Sequence, residues 1–233
     1  MTALKLHFRW LLLVCAFVAS VSAASAQATA GCDTLTTRQQ CIIKIAACTG
    51  CGDLERLKPA LAEGLDRGMT TNEIREILVH AYAYCGFPRS IRALQTFIGV
   101  LDDRKEHGKT DIAGREASPI NDTRSRYERG RDILAEISGV PADSPKAAYA
   151  EFAPVIERFL KEHLFADLFE RDVLTYAERE LATISVISVL GESVEPMLRG
   201  HLGICRHLGY TQSQLVKAQA IAESYLDLDK TKQ

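Results

Sequence analysis

The 233-residue chain is poor in aromatic residues, which make up 7% of it and include a single tryptophan. That scarcity argues against the aromatic platforms on which single-stranded nucleic acids stack. An excess of one charge is also missing: 28 Lys and Arg stand against 30 Asp and Glu, a net −2. No basic footprint for nucleic acid exists. No stretch alternates polar and apolar residues over a useful length, so β-structure has no signal. Past the N-terminus no apolar run is long enough to span a membrane. Nor do His and Cys fall at zinc-ligand spacing, so neither a metal nor a cofactor is expected. The partner expected is a small molecule or another protein chain.

What is present begins with an export signal over residues 1–26. Lys5 and Arg9 give a positive start, Trp10 to Val21 an apolar run, and Ala24-Ser25-Ala26 a small-residue cleavage site. A periplasmic or secreted protein cleaved near Ala26 is expected. Cys32 could be read as a lipid acceptor, but it lies far past the apolar run. Without Cys15, six cysteines remain (Cys32, Cys41, Cys48, Cys51, Cys85 and Cys205). An oxidising compartment permits disulfides among them, and the sequence does not choose the pairing.

Helical periodicity dominates the rest. Ile74, Ile77, Leu78, Ala81 and Cys85 recur on one face, capped by Thr70 or Thr71 and ended by Gly86 with Pro88. Val194, Met197, Leu198, His201, Leu202 and Cys205 form a second such face, and Leu181 to Leu190 is apolar nearly all round, the mark of a buried helix. The pattern predicts helices near 36–50, 54–67, 71–85, 89–104, 124–138, 146–164, 177–190, 193–208 and 212–226. Residues 102–122 are charged and lack an apolar stripe, which reads as a mobile linker.

Across that linker the chain repeats itself. Gly68-Met69-Thr70-Thr71-Asn72-Glu73-Ile74 aligns with Gly209-Tyr210-Thr211-Gln212-Ser213-Gln214-Leu215, and Ala81 and Tyr84 align with Ala222 and Tyr225. Each glycine closes one helix just before a threonine that can cap the next. The simplest architecture is all-α: two related αα-hairpin units packed about a pseudo-twofold axis.

These residues resemble the carboxymuconolactone decarboxylase family, whose relatives include alkylhydroperoxidase D-like proteins. The second unit carries the fuller match: Tyr127-Glu128-Arg129-Gly130, Phe165 to Phe169, Leu174 to Leu181, and Leu198-Arg199-Gly200-His201-Leu202. The first supplies Leu78 to Pro88, similar to the family's later His-to-Gly-x-Pro segment. The resemblance implies a helical fold that forms symmetric homo-oligomers. It divides the mature chain into a partial first unit over 27–105, a linker over 106–122 and a second unit over 123–233.

The two units are unequal, and one expectation is a composite site with His80 facing His201. His201 lies on an apolar face, where burial favours a neutral imidazole able to act as base, and Glu180 on the preceding helix could orient it. The alternative is a core histidine satisfied by a carbonyl. His80 shares a stripe with Glu73, Glu76 and Tyr84; these could form a proton-handling group with Tyr84 and Glu76 as substrate contacts, or a solvated face with a Glu76–His80 pair. Cys205 beside His201 is either a reachable nucleophile or a small core residue.

Cys48-Thr49-Gly50-Cys51 raises a redox alternative. Alkylhydroperoxidase D-like proteins place a glutamate before such a pair and a histidine after it. This sequence has neither, with Lys58 standing near the histidine position and Glu192 and Glu195 where repeat two would carry cysteines. The expected activity is therefore cofactor-free His/Glu acid–base chemistry on a lactone or keto-type acid. A thiol peroxidase using Cys48 and Cys51, and a non-catalytic helical binding protein, stand as alternatives.

Overall fold

The computed structural model describes residues 33–226, so the expected signal segment and Cys32 lie outside them. The described residues form helices α1 (Thr37–Cys51), α2 (Leu54–Asp66), α3 (Thr71–Glu106), α4 (Arg126–Ser138), α5 (Ala148–Phe152), α6 (Pro154–Phe159), α7 (Tyr176–Ile187), α8 (Glu195–His207) and α9 (Gln212–Glu223). A π-helical segment, Leu160–Phe169, follows α6, and a 3₁₀ turn, Glu192–Val194, precedes α8.

Four helices begin with the same local chemistry. Thr36, Thr70, Thr175 and Thr211 each accept the backbone N–H three residues on, while Gln39, Glu73, Glu178 and Gln214 reach back to the cap's own N–H. Each such reciprocal cap is worth about 1 kcal/mol and fixes where its helix starts. The caps also show the repeat to be three helices long. α1, α2 and the first half of α3 correspond to α7, α8 and α9, and α2 and α8 have the same 13-residue length.

Gly86 divides α3. Its backbone (φ 79°, ψ 161°) is left-handed and non-helical, a conformation glycine adopts without Cβ strain. Ser90 Oγ then donates to the Leu78 carbonyl at 2.8 Å, tying the halves together across the break. Expecting two helices separated at Gly86–Pro88 agrees with this geometry.

α1 and α7 pack against each other at the centre. Ile42, Ile43, Ile45, Ala46 and Ala47 of α1 and Leu181, Ala182, Ile184 and Val186 of α7 are all buried. Gly50 is required for the approach, since a Cβ there would sit 2.7 Å from a Val189 methyl. The remaining helices exchange partners: α3 packs on α7, and α9 packs on α1. One apolar cluster therefore runs from Leu35 to Ala222 and draws on both repeats.

A second cluster joins Ile133 and Ile137 of α4 to Leu164, Phe165, Leu168 and Phe169 of the π-helical segment. A Cβ on Gly130 would lie 1.7 Å from the Lys161 carbonyl, so only glycine allows this contact.

Two expectations change. The single helix over 146–164 is three pieces, because Pro154 excludes Ala153 from the helical region (φ −130°, ψ 76°). The linker is irregular but pinned rather than loose. Thr71 and Asn72 donate their backbone N–H groups to the carbonyls of Ile112 and Ala113, and Arg104 pairs with Asp111. Among the described residues no helix is long and apolar enough to cross a membrane.

Candidate active site

Packing α3 and α8 onto α7 brings together residues that lie far apart in sequence. Glu76, His80 and Tyr84 recur every four residues along α3. Arg179, Glu180 and Thr183 come from α7, and His201 and Cys205 from α8. Glu76, His80, Arg179, Glu180 and Thr183 are at most 1% exposed, whereas the His201 side chain retains 18%. His201 is thus partly open to solvent.

The hydrogen bonds fix what each imidazole can do. His201 Nδ1 lies 2.8 Å from Glu180 Oε2. With the carboxylate ionised, Nδ1 carries the proton and Nε2 is left with the lone pair. His80 Nε2 lies 2.9 Å from Thr183 Oγ1, and that hydroxyl donates its one hydrogen to the Arg179 carbonyl at 3.0 Å. Thr183 must therefore accept from His80, which makes His80 the Nε2–H tautomer with a bare Nδ1. The Tyr84 ring lies between the two imidazoles, 5.4 Å from His80 and 5.7 Å from His201 by ring centroids. Phe169 closes the far side of His80 with an edge contact at 5.2 Å.

Burial sets the protonation states. It pushes the His80 imidazole well below its ordinary value, with the Arg179 charge adding to the effect, so His80 stays neutral. Burial, with the Glu180 charge behind it, holds the Tyr84 phenol well above its ordinary value, so Tyr84 keeps its proton and can donate it. Several buried polar atoms here have no hydrogen-bond partner among the described residues: His80 Nδ1, the Tyr84 hydroxyl, Arg179 Nε and Nη1, and Glu180 Oε1. Buried polar groups are satisfied in about nine cases of ten. These exceptions gather in this one centre.

The remaining expectations fare unevenly. The centre contains His201, His80, Glu180 and Tyr84. Glu76 belongs to it but is not free to hold a substrate. Arg171 donates to both of its carboxylate oxygens at 2.5–3.1 Å, and Arg179 donates at 3.1 Å. Burial pushes the Glu76 carboxyl up, yet these two guanidiniums outweigh it and hold it below its ordinary value. The expected Glu76–His80 pairing is replaced by these bonds, and Glu73 turns instead to Arg38 and its own cap. Arg171, Arg179 and Thr183 were not among the candidates. A cationic residue at the entrance of the apolar stretch beginning at Leu181 was the available sign for Arg179.

Cys48 and Cys51 lie elsewhere, at the C-terminal end of α1. Cys41, Cys48, Cys51, Cys85 and Cys205 are all free thiols. The Cys51 thiol points to the Cys48 carbonyl at 3.5 Å. Burial pushes the Cys48 thiol up to about 12 and raises Cys51 as well, the reverse of what a thiolate nucleophile needs. Cys205 is fully buried and likewise raised.

Fold and centre together define a helical-repeat protein with a buried histidine–carboxylate pair opening toward solvent. The chain belongs to the carboxymuconolactone decarboxylase family, whose profile matches residues 15–97 and 154–233. The first matched segment contains His80 and Tyr84, and the second Glu180 and His201. No curated protein matches the chain.

Proposed function

We propose that this protein is a cofactor-free enzyme that moves protons on a small lactone or keto-type acid, with His201 as the base and acid. The supporting observation is the 2.8 Å contact between His201 Nδ1 and the fully buried Glu180 carboxylate. It orients the ring and leaves Nε2 as the proton acceptor.

In the reaction, Nε2 removes a proton from the carbon beside a carbonyl, and the electron pair moves onto the carbonyl oxygen as an enolate. Glu180 stabilises the imidazolium formed, and the Tyr84 hydroxyl donates to the enolate oxygen. The imidazolium then returns its proton to carbon. In a decarboxylation His201 first takes the proton of the substrate's carboxylic acid at Nε2; the C–C bond then breaks, carbon dioxide leaves, and the imidazolium gives that proton to the enolate carbon to complete the product. Neutral His80 supports the centre as a hydrogen-bond acceptor through Nδ1.

The test is solvent deuterium incorporation, followed by NMR, into a panel of γ-lactones and keto acids. The wild-type chain should exchange α-protons on at least one of them, and His201→Gln should slow this by about 100-fold or more. A His201→Gln protein that exchanges at the wild-type rate rules the proposal out.

A further inference from the structure

Taking as given that this centre is the reactive site, we infer that it selects a short organic anion bearing both a carboxylate and an O–H group. Arg179 holds the carboxylate, and His80 Nδ1 accepts the O–H. The argument rests on which donors and acceptors the fold leaves unmet. Arg179 is 0% exposed and spends only Nη2, on Glu76 and on the Arg171 carbonyl. Its Nε and Nη1 are buried without a partner, so two N–H-bearing atoms of one guanidinium await an acceptor. On the other side, His80 Nδ1 and Glu180 Oε1 are buried acceptors awaiting a donor, while the Tyr84 hydroxyl can serve either way.

Pairing points the same way. The single Glu76 carboxylate is shared by Arg171 and Arg179, so Arg179 has no carboxylate to itself. The other carboxylate of the centre, Glu180, spends its paired oxygen on His201 and makes no bond to Arg179. A carboxylate at Arg179 can accept from Nε and Nη1 together, the fork of a guanidinium that the fold leaves unmet. A simple carboxylate satisfies the donors and leaves both acceptors empty. A neutral alcohol does the reverse. A hydroxy acid, or the enol form of a keto acid, meets the guanidinium donors and the His80 Nδ1 acceptor at once.

The experiment is calorimetric titration of the mature chain with three compounds: 3-hydroxybutanoate, butanoate and methyl 3-hydroxybutanoate. The hydroxy acid should bind about tenfold or more tightly than either of the others. Arg179→Gln should erase the preference for acid over ester. His80→Phe should erase the preference for hydroxy acid over plain acid while keeping the preference for charge. Because Arg179 also supports Glu76, the wild-type comparison stands on its own should Arg179→Gln fail to fold. An ester that binds as well as the acid, or no binding by any of the three, overturns the inference; the second outcome assigns the unmet atoms to ordered water. Its failure is separable from that of the proton-transfer proposal. Equal deuterium exchange on acid and ester removes only the anion selectivity. Charge-selective binding with no exchange on any compound removes only the proton transfer.

Discussion

The two repeats use one scaffold and build different interiors. In the half where α3 and α8 meet α7, the inward positions hold His80, Tyr84, Glu180 and His201. In the corresponding half, where α9 and α2 meet α1, the repeat register puts Ile221, Tyr225, Cys41 and Ala60 at those places. Tyr84 and Tyr225 thus occupy equivalent positions with different neighbours. Tyr84 lies between two imidazoles, whereas the Tyr225 ring carries the Arg56 guanidinium 4.8 Å from its centroid and its phenol lies against Cys48. Helix caps and central packing were kept in both halves, and the groups able to move a proton were gathered in one. The scaffold needs only residues of suitable size at these positions, so two histidines and a carboxylate gathered in a single half are hard to account for by packing alone.

The sharpest break in this comparison concerns the thiols. With Cys48 pushed up to about 12, its thiolate fraction at pH 8 should be ~10³-fold below that of an unperturbed cysteine. Alkylation of the folded protein with iodoacetamide, mapped by mass spectrometry, should therefore leave Cys48 unmodified long after a model peptide has reacted. Rapid modification of Cys48, or stoichiometric Cys48–Cys51 pairing on mild peroxide treatment, would move the chemistry to the other half of the molecule.

Next in size is a pair of substitutions at equivalent places. Glu180→Gln should lower deuterium exchange by about 100-fold, through loss of the charge that stabilises the His201 imidazolium. Cys41→Ser, its counterpart on α1, should change the rate by less than about twofold, since nothing there touches the reacting atoms. Equal effects would dissolve the distinction between the halves.

The tyrosines give a smaller contrast. Tyr84→Phe should cost about tenfold in exchange rate, the value of one hydrogen bond to a developing charge. Tyr225→Phe should leave the rate within about twofold of wild type.

The smallest effect is on stability. His80 is held well below its unfolded value by burial, so the unfolded chain binds a proton that the folded chain refuses. The stabilising contribution is complete above about pH 6.5 and is lost as pH falls below it, by up to about 1.4 kcal/mol per unit. This window lies above the carboxylate range in which Glu73 and Glu76 act. Urea unfolding between pH 7 and 5 should show that slope, and His80→Gln should flatten it. A slope unchanged by the substitution would place the proton uptake elsewhere.

Much of the frame was legible in the sequence because its signals are local. A threonine followed three residues later by Glu or Gln starts four of the helices, and Gly86 with Pro88 breaks α3. The stretch 146–164 was read as one helix because its apolar pattern outweighed the constraint Pro154 puts on Ala153. The π-helical segment packs its Lys161 backbone against Gly130, a tertiary contact with no local sign. In the site, His201 and Glu180 could be found because each sits on a strongly periodic helix. Thr183 could not, and Arg179 showed only as a cation at the entrance of an apolar stretch, because the importance of both lies in bonds to α3, about 100 residues away in sequence. Glu76 shows the limit most plainly: its spacing to His80 allowed a contact, and Arg171, in the turn before α7, took the carboxylate instead.

The most direct test of the account is the tautomer of each histidine, read by long-range ¹H–¹⁵N correlation of the imidazole rings at neutral pH. The account predicts opposite states, with the proton on Nδ1 in His201 and on Nε2 in His80, and loss of the His201 preference in Glu180→Gln. Finding His201 as the Nε2–H tautomer would contradict it, because the nitrogen assigned to accept the substrate's proton would already hold one.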